Sequence, residues 1–526
     1  VRKSFARSAF ATSPATSISM DQNSIGFQAF RFVDPLKRSS FRPSAEGHRL
    51  PWAAAPKNQH KATSMPSPSS ATLDIISLRQ HSDELLSRCQ WSRERLLSHQ
   101  RQELQSTLQH AVHSSPYYRD AIGTLLARGA ALEELPVLTK HALMENFDRI
   151  VTDDRLKRLL VERHLDGANP GSLLLGEFNV AATGGTTGER GITAFDGAAW
   201  LTAIANMVRF QKIVGIDETT RSMAVFASSP VHISHRIGAE LRAIRPKAPG
   251  LNVLMPIEAI VEALNAYQPE VISTYPSFVR VLAAEQRAGR LRIKPRLFRT
   301  SAETLTQDVR DVAVETWQAT VANSYVCTEA GPMGHECLHA DGLHLAEDAF
   351  VFEVVDADNR PVPDGTQGSK LLVTTLTNCT LPLVRYEISD IVTMATEPCP
   401  CGLPFWRIAS IAGRREEMLR FARRGGGTVD VHAHRLRSPL TSTTGVRQFQ
   451  FAPLTDGLVI TISVFPGVDA DAVSRKIESA VRAALNAVDA QPSRILVTVV
   501  DTIERSGSGA KERLVAVSTA HGLDEK

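Results

Sequence analysis

The sequence contains no apolar run long enough to span a bilayer, so a helical membrane protein is excluded. Cysteine is sparse, and six in 526 residues do not make a disulfide framework. An excess of charge of one sign is missing as well. The 59 Lys and Arg stand against 56 Asp and Glu, and a net charge of +3 asks for neither nucleic acid nor a membrane. No internal repeat is detectable. What remains is 43% hydrophobic and 22% charged residues, the composition of a soluble globular protein. The length calls for more than one domain, each able to bury a core.

Residues 1 to about 70 stand apart. They are rich in Ser, Ala, Pro and Arg, and residues 1–64 carry ten Lys and Arg against three Asp and Glu, a local charge of +7. No hydrophobic period persists, which predicts a disordered tail over 1–70. A basic, serine-rich, acid-poor start fits an organelle transit peptide. The alternative is translated sequence upstream of a start at Met65, and Val1 fits a non-Met start codon or a missing beginning.

From residue 74 the chain is patterned. Leu85, Leu86, Leu96, Leu97, Leu104, Leu108 and Val112 follow helical spacing over 74–113, and Thr139 reads as the N-cap of another helix. From about 170 to 380, β-rich runs (221–229, 270–276, 318–326) alternate with helical ones (257–267, 277–289). A β-rich stretch covers 343–393. Composition shifts after Gly413-Arg414, and strands at 456–465 and 494–500 then flank an amphipathic helix at 470–487. The expected fold class is α/β. A large N-terminal domain (71–413) has layered sheets and a β-rich subdomain, and a small C-terminal α+β lid domain covers 414–526.

The stretch 180-VAATGGTTGERG-191 is the chemical centre of this plan. Glycines let a ligand approach the backbone, and exposed N–H groups with threonine hydroxyls make an anion nest suited to a polyphosphate. No Lys-Ser/Thr follows the last glycine, so it is not a P-loop. A flexible surface loop is the alternative. Four stretches downstream give it weight. In 325-YVCTEAG-331 a hydroxyl stands beside a carboxylate, a pair suited to a phosphate oxygen and a hard cation such as Mg²⁺. Asp390 in 382-PLVRYEISD-390 could accept both hydroxyls of a ribose. A Gly-Arg follows at 413–414, and Lys511 lies in the glycine-rich 504-ERSGSGAKERLV-515.

In order and spacing these segments resemble the adenylate-forming (AMP-forming acyl ligase) superfamily, and within it the phenylacetate–CoA ligase-like branch, over about residues 75–526. The resemblance implies that Thr183, Gly184, Gly185, Thr186, Thr187 and Gly188 hold the β- and γ-phosphates of ATP. Ser301, Ala302 and Glu303 would line the adenine pocket, with Tyr325 stacked on the base. Thr328 would touch the α-phosphate and Glu329 would ligate Mg²⁺. Asp390 would bind the ribose and Arg414 ribose or phosphate, with Glu416 near the hinge. Lys511 would bridge the carboxylate and the α-phosphate. The chain departs from the family pattern at Val326, at Glu387, Ile388 and Ser389, at Glu416-Glu417 and at Gly509-Ala510-Lys511.

The implied activity is ATP-dependent activation of a small-molecule carboxylic acid, of aryl or arylacetic type, through acyl-AMP and on to CoA. A synthetase that adenylylates with another acceptor, of the deazaflavin-cofactor type, and a non-catalytic nucleotide-binding protein on the same fold are the alternatives. Tyr275, Pro276 and Ala181 are expected pocket walls. The expected location is cytoplasmic, with no nucleic-acid or membrane partner, and a homodimer is compatible with this reading.

Cys337, His344, Cys399 and Cys401 offer the soft N/S set that Zn²⁺ prefers, with His339 the rival to His344. Ordinary reduced thiols are the alternative. Similar placement occurs in members of the resembled branch as a structural zinc. Cys327 lacks a recognisable base and reads as core packing. His432 and His434 would face one side of a strand in structural contacts. The basic, glycine-rich 420-RFARRGGG-427 suits either CoA phosphates or a solvated hinge loop.

Overall fold

Side-chain caps decide where the N-terminal helices begin. The computed structural model describes residues 74–503 and 514–516, apart from 184–189, 228, 246–247, 340–341, 442, 456 and 466. The expected tail over 1–70, Gly184, Gly185, Thr186, Thr187 and Gly188 of the expected phosphate loop, and Lys511 lie outside these residues. Asp74 caps α1 (Ile75–Ser87), Ser92 caps α2 (Arg93–Ser114), and Ser115 caps α3 (Pro116–Ala127), which carries proline in its first turn. The helical spacing over 74–113 is thus two helices, broken where Ser92 goes extended to cap the second. Thr139 accepts the Ala142 amide at 3.1 Å and starts α4 (Lys140–Glu145), followed by α5 (Phe147–Ile150) and α6 (Arg158–Leu165).

A hairpin of β1 (Asn179–Ala182) and β2 (Ile192–Phe195) flanks the Gly/Thr stretch, and α7 (Gly197–Ile213) follows it. The chain then alternates through β3 (Ser222–Phe226), α8 (Ile233–Ile244), β4 (Gly250–Asn252), α9 (Ile257–Tyr267), β5 (Val271–Thr274), α10 (Pro276–Arg287), β6 (Leu297–Ser301), α11 (Gln307–Trp317) and β7 (Thr320–Cys327). Helical crossovers make β4, β3, β5, β6 and β7 parallel neighbours. The expected β-rich stretch adds β8 (Gly331–Glu336) and β9 (Leu343–Leu345), and a separate antiparallel sheet of β10 (Phe350–Val355), β11 (Lys370–Thr375) and β12 (Tyr386–Ile388). With β13 (Asp390–Met394) and β14 (Arg407–Arg414) a nine-stranded mixed sheet closes in the order β13-β14-β9-β8-β7-β6-β5-β3-β4.

Past Arg414 come a hairpin of β15 (Met418–Ala422) and β16 (Thr428–His432), then α12 (Arg437–Thr441), β17 (Val446–Leu454), β18 (Gly457–Val464), α13 (Ala470–Asn486) and β19 (Arg494–Val499). Asp469 caps α13, which buries Val473, Ile477, Val481 and Leu485, each four residues from the last and so on one face. These side chains share an apolar cluster with Phe451, Ile460 and Ile495 of β17, β18 and β19. Among the described residues, that cluster has no member in common with the two large clusters of residues 78–408.

One ion pair ties the helical face to the sheet. Arg209 of α7, wholly buried, makes a two-pronged contact with Asp348, at 2.7 and 3.0 Å, and lies over the Phe405 ring. Burial alone would raise the Asp348 carboxyl, but Arg209 and Arg88 hold it below the ordinary aspartate value. Its stabilising effect is therefore present above that value and lost as pH falls through the folded one. Asp348→Asn leaves Arg209 buried without its counter-charge and should cost about 3–5 kcal/mol in denaturant unfolding. An unchanged midpoint would show that the pair is not needed.

Candidate active site

A cavity of about 640 Å³ lies against the parallel strands and continues past their carboxyl ends, where open α/β sheets bind ligands. Alternation along each strand builds its floor. Ser222, Ala224 and Phe226 of β3 line it, and Met223 reaches it too although Met223 and Val225 belong to the core cluster with α9 and α10; Arg299, Thr300 and Ser301 of β6, and Ser324 and Val326 of β7, line it as well. Residues of α7 and α8, among them Met207, Ile237 and Leu241, cover it.

At the mouth, the two ends of the Gly/Thr stretch are tied together. Thr183 N–H donates to Gly191 O at 2.8 Å, and Gly191 N–H donates to Thr183 Oγ1 at 2.9 Å. Lys140 Nζ donates to the same hydroxyl at 3.3 Å. Lys140 arrives there because Leu138 pairs with Arg385 and Glu387 through backbone hydrogen bonds of 3.1 and 2.9 Å. Gly191 permits the crowding. A Cβ there would sit 2.6 Å from Glu329 Oε1 and 2.9 Å from Lys140 Cε. Glu329 is 6% exposed, takes a hydrogen bond from Tyr386 Oη at 3.1 Å, and has its carbonyl held by Thr193 Oγ1. Burial, then the Glu329 charge, pushes the Tyr386 hydroxyl far up, so it stays a neutral donor.

The sequence-predicted residues fall into three groups. Thr183, Ser301, Ala302, Thr328, Glu329 and Arg414 line the one cavity. Tyr325 and Asp390 stand beside it rather than in its lining, both buried. Tyr325 Oη donates to Asp390 Oδ2 at 2.6 Å, and Arg414 Nε donates to Oδ1 at 3.1 Å. Asp390 and Arg414 are register partners across β13 and β14, which sets that pair. Glu303 turns to the start of α10, where its carboxylate accepts from Ser277 N and Oγ. Of the expected walls, Tyr275 lines the cavity; Pro276 sits in the first turn of α10 and Ala181 is buried in β1.

Cys327 lines the cavity, and burial, followed by the Glu329 charge, pushes its thiol far above the usual value, which suits packing and not nucleophilic attack. His432 Nε2 faces Arg414 O at 2.9 Å, a structural contact at the start of the C-terminal segment. Burial lowers its pKa. Sequence reasoning missed Lys140, Tyr386 and the arginines of α8 and β6. The alternation in 297-LFRTS-301, which puts Arg299 and Ser301 on one face, was the available signal for the last.

The second cluster is Cys337, His344, Cys399 and Cys401, whose ligand atoms all lie within 4.8 Å of one another. Cys337 and Cys399 sulfurs are 3.7 Å apart, and Cys401 Sγ is 3.3 Å from His344 Nε2. A tetrahedral zinc with Zn–S of about 2.3 Å and Zn–N of about 2.0 Å has edges of roughly 3.8 and 3.6 Å, close to these values. His344 Nδ1 faces Phe405 O at 3.1 Å, which puts the ring proton there and leaves Nε2 for a metal. The contact between Cys337 and Cys401 pulls one thiol of the pair down and pushes the other up. His339 lies in the turn after β8, outside the cluster.

No family model matches the chain. It is 35% identical over 169 residues to the phenylacetate–coenzyme A ligase of Thermus thermophilus, a match to 31% of this chain and 38% of that one. It is 26% identical over 362 residues to the phenylacetate–coenzyme A ligase of Aromatoleum evansii, covering 62% and 72%. The chain thus spans well under two thirds of the first relative's length. Among solved structures, a 2-hydroxyisobutyryl-CoA ligase in its postadenylation state superposes with a TM-score of 0.62 at 20% identity, over 88% of this chain and 95% of that one. The chain is thus similar in sequence, over part of its length, to phenylacetate–coenzyme A ligases, and similar in fold to a 2-hydroxyisobutyryl-CoA ligase.

Proposed function

We propose that this protein activates a carboxylic acid with ATP, forming acyl-AMP and diphosphate, and passes the acyl group to the thiol of CoA. The observation that carries the reading is the single cavity lined by Thr183, Thr328, Glu329, Ser301, Ala302 and Arg414. The relatives named phenylacetate–coenzyme A ligase support both half-reactions and favour an aryl or arylacetic acid as the starting class.

The chemistry is a charge problem. An anionic carboxylate must reach the innermost phosphorus of an anionic triphosphate, and cations set on the developing charge lower that barrier. In this reading Thr183, with the glycines and threonines after it, holds the outer phosphates, with Lys140 beside Thr183. Thr328 takes the α-phosphate and Ser301 and Ala302 meet the adenine. Asp390 takes the ribose once Arg414 swings away. Glu329 would hold Mg²⁺, and its buried carboxylate, set in the space that Gly191 leaves, fits that task. The cation supplies phosphate charge neutralisation when bound. Residues 414–526 act as the lid that keeps the acyl-AMP dry, Lys511 travelling with it. The four-ligand cluster would hold a structural zinc with no position open to substrate, stapling the turn after β8 to the 399–401 knuckle. The six cysteines, all among the described residues, form no disulfide, and a cytoplasmic location belongs to this reading.

Acid-dependent exchange of labelled diphosphate into ATP tests the first step. Exchange is expected, and Gly191→Ala should lower it roughly tenfold or more by forcing Glu329 and Lys140 apart. Absence of exchange across aromatic and aliphatic acids would leave only a nucleotide-binding protein. Loss of free CoA thiol coupled to exchange is expected next, and exchange without thiol loss would point to another acceptor. For the metal, elemental analysis of the purified protein should find about one zinc per chain. Cys401→Ser should lose most of it and lower the melting temperature. A metal-free protein that melts no differently after chelation would reduce the cluster to ordinary thiols.

A further inference from the structure

The floor of the cavity carries positive charge. Arg299, in the middle of β6, is 9% exposed, and its side chain lines the cavity. Its polar partners among the described residues are Met207 Sδ at 3.2 Å and Ser324 Oγ at 3.3 Å, neither of them an anion. Arg242 and Arg245 line the same cavity from the end of α8 and the residue after it. Arg245 bonds to the neutral Gln211 Oε1. Arg242 Nη1 lies within 3.4 Å of where a Cβ at Gly238 or Gly250 would stand, so those glycines leave room for it.

Two of the other buried guanidinium groups carry a counter-charge, while Arg236, 5% exposed, donates to the Pro170 carbonyl. Arg209 has Asp348 and Arg385 has Glu353, each through a two-pronged contact. Among the described residues Arg299 has no such partner, and a buried unpaired charge is costly. Burial, and then the charge of Arg245, pushes Arg299 down to about 10. Burial lowers Arg245 too, with Asp217 and Glu218 opposing. A buried and a half-buried guanidinium lining one cavity are the groups an anion would pair with.

We propose that the acid activated here carries a second anionic group, a distal carboxylate first of all, bound by Arg299, Arg245 and Arg242 beneath α8 while the reacting carboxylate stays at Thr328 and Glu329. This rests on the acid-activating reading above and specifies its substrate. Arg299 lies two residues before Ser301 on the same strand face, about 7 Å deeper in the cavity, and the β3 face runs about 13 Å from Phe226 to Ser222. Strand rise thus gives roughly 7 to 13 Å of cavity depth, the range of diacid lengths to test. The hydroxyls of Ser273, the register partner of Arg299, and Ser324 complete the polar floor.

The experiment is acid-dependent ATP–diphosphate exchange on the full chain. Its panel holds straight-chain and aromatic diacids of that span, their monomethyl esters, monocarboxylic acids of equal length, and acids whose distal group is a sulfonate or phosphonate. The expected result is a kcat/KM for a diacid at least about tenfold above its ester and its monocarboxylic counterpart. Arg299→Met should reduce that ratio about tenfold, through KM for the diacid. Better turnover of a sulfonate or phosphonate would keep the anion site and change the anion. Equal or better use of esters and monocarboxylic acids by the wild-type protein would overturn the proposal while leaving acid activation standing, and this comparison holds even where Arg299→Met does not fold. Persistence of the preference in folded Arg299→Met would overturn it as well. Exchange with no acid of any class would overturn the acid-activating reading itself.

Discussion

Glu329 is where distant parts of the chain are made to meet. Its carboxylate sits in space that exists because residue 191 has no Cβ, it accepts from Tyr386, and its backbone carbonyl is held by Thr193. Lys140 reaches the same point from the helical N-terminal region, through the pairing of Leu138 with residues 385 and 387. A buried carboxylate next to a lysine, a neutral tyrosine and a threonine-lined loop end is costly to assemble without a use. A polyphosphate with its hard cation is a ligand that needs both the acceptor oxygens and the donors.

The fold was legible where the signal was local. Caps at Thr139, the alternation of strands and helices from about 170, and the four-residue spacing on α13 all follow from neighbouring residues, and each appears in the structure. The cavity-lining residues Thr183, Ser301, Ala302, Thr328, Glu329 and Arg414 were also legible, since each lies in a short contiguous motif. What could not be read was register. Asp390 and Arg414 were both singled out, yet their ion pair depends on which residue of β13 faces which residue of β14. Likewise Lys140 meets Thr183 only because a segment some 250 residues away pairs with Leu138, a tertiary fact with no local trace. Tyr325 shows a third limit. Its position was marked, but whether a tyrosine presents its ring or its hydroxyl is set by what lies beside it, and here the hydroxyl is spent on Asp390.

The two clusters outside the mouth differ in kind. The Cys/His set is closed, with short ligand-to-ligand distances and a histidine whose second nitrogen is already oriented by Phe405 O. Its geometry is that of a staple. The arginines beneath α8 are the reverse: cations lining a cavity, with Met207 and Ser324 the partners of Arg299 among the described residues. A closed set stabilises and an open one recognises, and the same rule, that buried charge seeks a partner, accounts for both.

The central claim is that the scattered segments converge on one nucleotide. A crystal structure with a non-hydrolysable acyl-sulfamoyl adenosine tests it most directly. The account predicts the sulfamoyl group against Thr328 beside Glu329, the adenine on the Ser301–Ala302 segment, and the acyl chain running beneath α8. An analogue bound elsewhere, with the contacts around Glu329 undisturbed, would contradict it.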